Sequence, residues 1–259
     1  MPSLEYTDFF NFDFPFVEEP HDEGIYNCSA EHPAMTVVSG AKCSDDIVLI
    51  ADRKLTKQNY KPDFRDKIFG DIKHYLIGYT GDVNLFDIFR RYTVGDIMIE
   101  RDTDKRYQVD NLLMKVSETI KRFNALRCMP FKVLIAAHRG NASVLYHIDI
   151  DGRSNEIIEH KSIGSGSIIA DKFCSSPERD RITMRDFAKC VFLAIHFMDQ
   201  YCPALGVGVE RGGVPNIKYL YYDQEWDKEP TKEDINEYRE YTSTRLPKII
   251  EGIDSILKQ

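Results

Sequence analysis

The run Ile47-Val48-Leu49-Ile50-Ala51, closed by Asp52, limits the fold more than any other stretch. A strand sends successive side chains to opposite faces. This one is apolar on both, so it must be covered on both. Thr36 to Lys42 reads as a strand before it, and Ser44-Asp45-Asp46 as the turn of a hairpin. Short strands are expected at Lys67-Ile68-Phe69 and from His74 to Gly78. Apolar residues at helical spacing predict helices over 84–100 (Leu85, Ile88, Phe89, Tyr92) and 109–125 (Leu112, Leu113, Val116, Ile120, Phe123). Strands follow over 131–137 and 143–149, with a turn at Asp151-Gly152, and another over 157–163. Helices are expected over 165–173 and 184–201, the second apolar nearly all round. Strands over 205–210 and 217–222, joined at Gly212-Gly213, precede a charged helix over 232–258 with a break at Pro247. Strands and helices thus alternate in groups. That order predicts an α+β fold: a four-layer αββα sandwich of two antiparallel sheets flanked by helices.

Of the 259 residues, 42% are hydrophobic, enough for the core of one domain with tails. Three segments are expected: an acidic extension over 1–35, a domain over 36–225, and a charged helical tail over 226–259. The first thirty-four residues hold eight acids, five phenylalanines and no Lys or Arg. They read as a solvated acidic tail, or as a pro-segment or docking peptide. The net charge of −8 argues against nucleic acid as partner, because phosphate binding needs clustered cations. No apolar run reaches the roughly 20 residues that span a bilayer, so no membrane partner is expected. The cysteines and histidines show no metal-ligand spacing, so neither metal nor cofactor is expected. The cysteines read as reduced thiols of a cytoplasmic protein.

The run Thr36-Val-Val-Ser-Gly40-Ala-Lys-Cys-Ser-Asp45-Asp-Ile-Val-Leu-Ile-Ala-Asp52-Arg-Lys54-Leu-Thr56 resembles the opening of mature proteasome β subunits. Further marks keep the family's order. Lys67-Ile68-Phe69 is similar to its lysine strand, one residue closer to the threonine. Gly78-Tyr79-Thr80-Gly81-Asp82 is similar to its Gly-x-x-Gly-Asp motif. Tyr146-x-x-Asp149-x-x-Gly152 and Gly164-Ser165-Gly166-Ser167 match its mid-chain hairpin and a helix start, and Asp199 its acid near the end of the long helix. The resemblance covers about residues 36–225 and implies the N-terminal-nucleophile hydrolase fold.

It also implies a chemistry. A threonine hydroxyl needs a base, which its own free α-amine supplies in this variant of the triad logic. That amine titrates near 7.7–8.0 unperturbed, so a neighbouring cation tips it toward the neutral form. The resemblance implies Thr36 as nucleophile, Lys67 as that cation, Asp52 as its partner, Lys54 as a tuning charge, and Ser165 and Asp199 as supports. The Gly81 N–H would meet the oxyanion. Leu55, Leu76 and Thr80 would line a mostly apolar substrate pocket. Taken alone, Asp52 and Lys67 read by default as a surface ion pair and Ser165 as a helix cap.

The chain departs from the family pattern in three places. Met35 stands where pro-segments end in glycine, Cys202-Pro203 where Ser-Gly follows the helix acid, and Lys54 where many members have Arg. Three functions follow. The first is a threonine-type endopeptidase acting on unfolded polypeptides in a homo- or hetero-oligomeric ring with proteasome-like α or β subunits. The second is a structural subunit without chemistry. The third is an N-terminal-nucleophile amidase or transpeptidase.

Overall fold

The computed structural model describes residues 36–44, 46–55, 63–70, 75–81, 90, 105–125, 132–139, 141–175, 182–210, 213–221 and 229–257. The expected extension over 1–35 lies outside them, as does the helix expected over 84–100 apart from Arg90.

Two antiparallel sheets carry the fold. The first contains β1 (Val37–Lys42), β2 (Ile47–Ala51), β10 (His160–Gly164) and β11 (Asn216–Leu220), in the order β10-β1-β2-β11. The second contains β5 (Ile68–Phe69), β6 (Tyr75–Thr80), β7 (Lys132–Arg139), β8 (Ala142–Ile148) and β9 (Ser154–Ile157), paired in chain order. A two-residue ribbon pairs β3 (Lys54–Leu55) with β4 (Asp63–Phe64). The described helices are α1 (Lys105–Ala125), α2 (Ser167–Cys174), α3 (Met184–Tyr201) and α4 (Lys232–Leu257).

The alternation within β2 sorts its side chains between two cores. Val48 and Ile50 join α2, α3 and α4 in one cluster; Ile47, Leu49 and Ala51 face Leu76, Leu134, Ala136 and Leu145 of the other sheet. The second sheet sorts its residues likewise: Ile77, Val133, Ile135 and Tyr146 meet Leu112, Val116 and Ile120 of α1. The layers therefore run helix, sheet, sheet, helices. Each such aliphatic side chain contributes about 1.5–3 kcal/mol on burial.

Four local expectations change. The stretch expected as one strand over 157–163 is two, because the chain leaves one sheet after Ile157 and enters the other at His160. Residues 205–210 form no strand: a 3-10 turn at Pro203–Leu205 leads into an extended segment whose backbone bonds Asp52, Arg53 and Lys54. No hairpin therefore links it to β11. α4 runs through Pro247 unbroken. The missing N–H there would have served the Ser243 carbonyl, and both residues are exposed, so that carbonyl is not stranded away from solvent. α4 is also more than a charged tail, since Tyr238 is fully buried and shares a hydrogen bond with Tyr219 at 2.6 Å. Its start is fixed by reciprocal bonds: Asp234 N–H donates to Thr231 Oγ1 at 3.1 Å, and Thr231 N–H to Asp234 Oδ2 at 2.9 Å.

The expected Asp151-Gly152 turn is present, with Gly152 N–H donating to the Asp149 carbonyl at 3.0 Å. Among the described residues no helix is long and apolar enough to cross a membrane.

Candidate active site

Strand register brings distant residues to one end of the first sheet. Val38 pairs with Ala51, which sets Asp52 beside Val37; Asp52 N–H donates to the Val37 carbonyl at 3.1 Å. Val37 pairs with Gly164 on the other side, which sets Ser165 beside Thr36. Gly164 has φ +97°, and a Cβ there would lie 2.2 Å from the Thr36 carbonyl oxygen. Only glycine fits both the backbone and the space. Lys67 reaches the same point from the other sheet. The next residue, Ile68, donates its N–H to Asn216 Oδ1 at 2.8 Å, and Asn216 sits opposite Ala51 on β11.

The result is a buried knot. Lys67 Nζ donates to Thr36 Oγ1 at 2.6 Å, to Asp52 Oδ1 at 2.8 Å and to the Lys54 carbonyl at 2.7 Å. All three ammonium donors are thereby used. Thr36 Oγ1 donates to Asp52 Oδ1 at 2.6 Å, and Val37 N–H donates to the same oxygen at 2.9 Å. Gly208 N–H points at Asp52 Oδ2 from 3.4 Å. Thr36, Asp52 and Lys67 are each at most 3% exposed. Burial pushes the Lys67 ammonium below its ordinary 10.5, while the charge and hydrogen bond of Asp52 pull it back up. A hydroxyl touching such an ammonium is well placed to lose its proton.

Ser165 completes the surround of Thr36. Thr36 N donates to Ser165 Oγ at 3.1 Å, and the Ser165 hydroxyl faces the carbonyls of Thr36 at 3.2 Å and Leu205 at 3.1 Å. It does not cap α2, whose N-cap is Gly166 without a side-chain bond. Asp199 bonds Lys54 Nζ at 3.2 Å, so it reaches the knot through Lys54. Gly81 follows β6 with φ +134°.

The expected pocket residues occupy different settings. Leu55 pairs with Asp63 in the small ribbon. Thr80 is 5% exposed, with its methyl 3.1 Å from where a Gly164 Cβ would stand. Leu76 belongs to the core between the sheets and is 2% exposed, so it lines the interior rather than an open surface. Among the described residues no His, Cys, Asp or Glu cluster can hold a metal ion.

Sequence reasoning missed two residues that build the knot. Asn216 carries a signal, as a polar residue next to an apolar strand. Gly208 carries none, being one glycine in a loop.

The sequence model of the family described as Proteasome subunit matches residues 34–211. No relative is found among curated proteins. Among solved structures, the fold is similar to that of the Anbu (Gly-1) mutant from Hyphomicrobium sp. strain MC1. The two share 11% sequence identity and a TM-score of 0.59, over 85% of this chain and 97% of that one.

Proposed function

Because the chain belongs to the proteasome subunit family, we propose that it is a β-type subunit and a threonine-type endopeptidase, with Thr36 as nucleophile once the bond to residue 35 is cut. The observation that carries this reading is the contact of Thr36 Oγ1 with both Lys67 Nζ and Asp52 Oδ1, each at 2.6 Å. A buried ammonium, its carboxylate and a hydroxyl meeting at one point suit proton transfer from that hydroxyl.

While residue 35 is attached, Thr36 N is a peptide nitrogen and donates to Ser165. Freed, the amine goes on donating to that serine and keeps its lone pair for the hydroxyl, whose proton it takes as the oxygen attacks the substrate carbonyl. The tetrahedral oxyanion is met by the Gly81 N–H, in keeping with the family resemblance. Collapse expels the peptide amine, which takes the proton, and leaves an ester on Thr36. Water activated by the same amine hydrolyses that ester.

The Cys202-Pro203 departure is compatible with this scheme. Cys202 N–H closes α3 on the Met198 carbonyl, and Pro203 opens the 3-10 turn, where a missing N–H costs little. The substrates are unfolded polypeptides, with cleavage after apolar residues. The partners are proteasome-like subunits in a ring, and the setting is the cytoplasm.

The test is turnover of fluorogenic peptides ending in an apolar residue, using the processed chain. Wild type should cleave, Thr36→Ala should lose at least about 1,000-fold, and Thr36→Ser should retain a measurable rate. Equal turnover by Thr36→Ala would remove the reading.

A further inference from the structure

Gly208 lies in the segment between the 3-10 turn and β11. Its φ is outside the left-handed region, so its backbone does not require glycine. Space does. A Cβ there would lie 2.1 Å from Asp199 Oδ1, 2.6 Å from Asp199 Cγ and 3.1 Å from Lys54 Cδ. The Asp199 carboxylate therefore rests directly on the Gly208 backbone. That backbone is also fully engaged: its N–H faces Asp52 Oδ2 at 3.4 Å, and its carbonyl accepts from Arg53 N–H at 3.0 Å and Lys54 N–H at 3.1 Å.

The contacts close a ring. Gly208 meets Asp52, Asp52 meets Lys67 at 2.8 Å, Lys67 meets the Lys54 carbonyl at 2.7 Å, and Lys54 N–H returns to Gly208. Lys54 Nζ carries Asp199 at 3.2 Å. One residue without a side chain thus touches both the buried pair, Asp52–Lys67, and the partly buried pair, Asp199–Lys54.

We propose that Gly208 is a positioning residue of the site: its bare Cα seats the Asp199 carboxylate, and its backbone holds Asp199–Lys54 in register with Asp52–Lys67. The inference rests on the peptidase reading for its effect on turnover, but its packing claim is independent of it. Misplacing a catalytic group by about 1 Å costs up to about 100-fold in rate, and groups in contact give non-additive effects when changed together.

The experiment is a double-mutant cycle on the processed full-length assembly, with Gly208→Ala, Asp199→Ala and the pair, read by thermal unfolding and by peptide turnover. Gly208→Ala should lower Tm by several degrees in the wild-type background and by much less beside Asp199→Ala, where the missing carboxylate leaves room. It should lower kcat about 10- to 100-fold with KM unchanged, and the pair should be no slower than Asp199→Ala alone. If Gly208→Ala does not fold but the pair does, the clash is with Asp199 and the inference stands. Equal Tm losses in both backgrounds, a pair that does not fold, or wild-type kcat in a folded Gly208→Ala would each overturn it. An inactive wild type with a non-additive Tm cycle would remove the peptidase reading and leave the seat of Asp199 in place. An active wild type with an additive cycle would do the reverse.

Discussion

The molecule holds two kinds of ion pair, and they behave as opposites. Lys67 and Asp52 meet at 2.8 Å with side chains 3% and 0% exposed. Arg139 and Asp110 meet at 2.9 Å between β7 and α1, with side chains 34% and 50% exposed. Water can replace either partner of the outer pair, so that pair is worth little. No water replaces Lys67 or Asp52, so each depends on the other, and taking both out of water costs several kcal/mol per ion. Hydrophobic residues of like volume would hold this end of the sheet together as well or better. A buried pair that also touches a hydroxyl suits chemistry better than stability.

The buried pair should respond most strongly to substitution. Lys67→Met should lower turnover at least about 100-fold in the same peptide assay, through loss of the cation beside the Thr36 amine and hydroxyl. The substitution also strands Asp52, so it should destabilise the fold by about 3–5 kcal/mol in urea unfolding. Lys67→Met with Asp52→Asn should recover part of that loss while staying inactive. No recovery would mean that the pair is a net stabiliser, and the contrast would fail.

Gly164→Ala comes next. Strain at φ +97° and the collision with the Thr36 carbonyl should cost about 1–3 kcal/mol and reduce turnover even where the protein remains folded.

The pH response is smaller and has a definite sign. Burial holds Lys67 below its ordinary 10.5. The folded state therefore releases this proton before the unfolded state does. The resulting stability is fully present above 10.5 and is lost as pH falls through the folded value. Wild type should gain on Lys67→Met as pH rises from neutrality toward 10.5, measured by urea unfolding at several pH values. A flat difference would contradict the assigned burial. The smallest effect belongs to the outer pair: Arg139→Ala should cost less than about 1 kcal/mol, with turnover unchanged.

Much of this was legible in the sequence because the same residues carry pattern and packing. The two-faced apolar run of β2 required layers on both sides, and the structure supplies a second sheet and the α2–α4 helices. Thr36, Asp52, Lys67 and Ser165 came from ordered motifs, and strand register brings them together. The failures share another cause. The apolar alternation of residues 205–210 resembles a strand, but their hydrogen bonds go to the site. Pro247 signals a break only if its lost bond is buried, and exposure is invisible in sequence. Leu76 fits a pocket lining by type, while the face of β6 that it occupies points between the sheets. Gly208 acts through an absent atom and two backbone groups, and no periodicity marks such a residue.

Peptidase chemistry at Thr36 requires a free amine. The direct test is the intact mass and N-terminal sequence of the chain purified from its own cells. A mature chain starting at Thr36 is the predicted result, and places the amine beside Ser165 with the hydroxyl on Lys67. A chain that still carries Met35 before Thr36 keeps that nitrogen in a peptide bond. It would contradict the account and leave a structural subunit in its place.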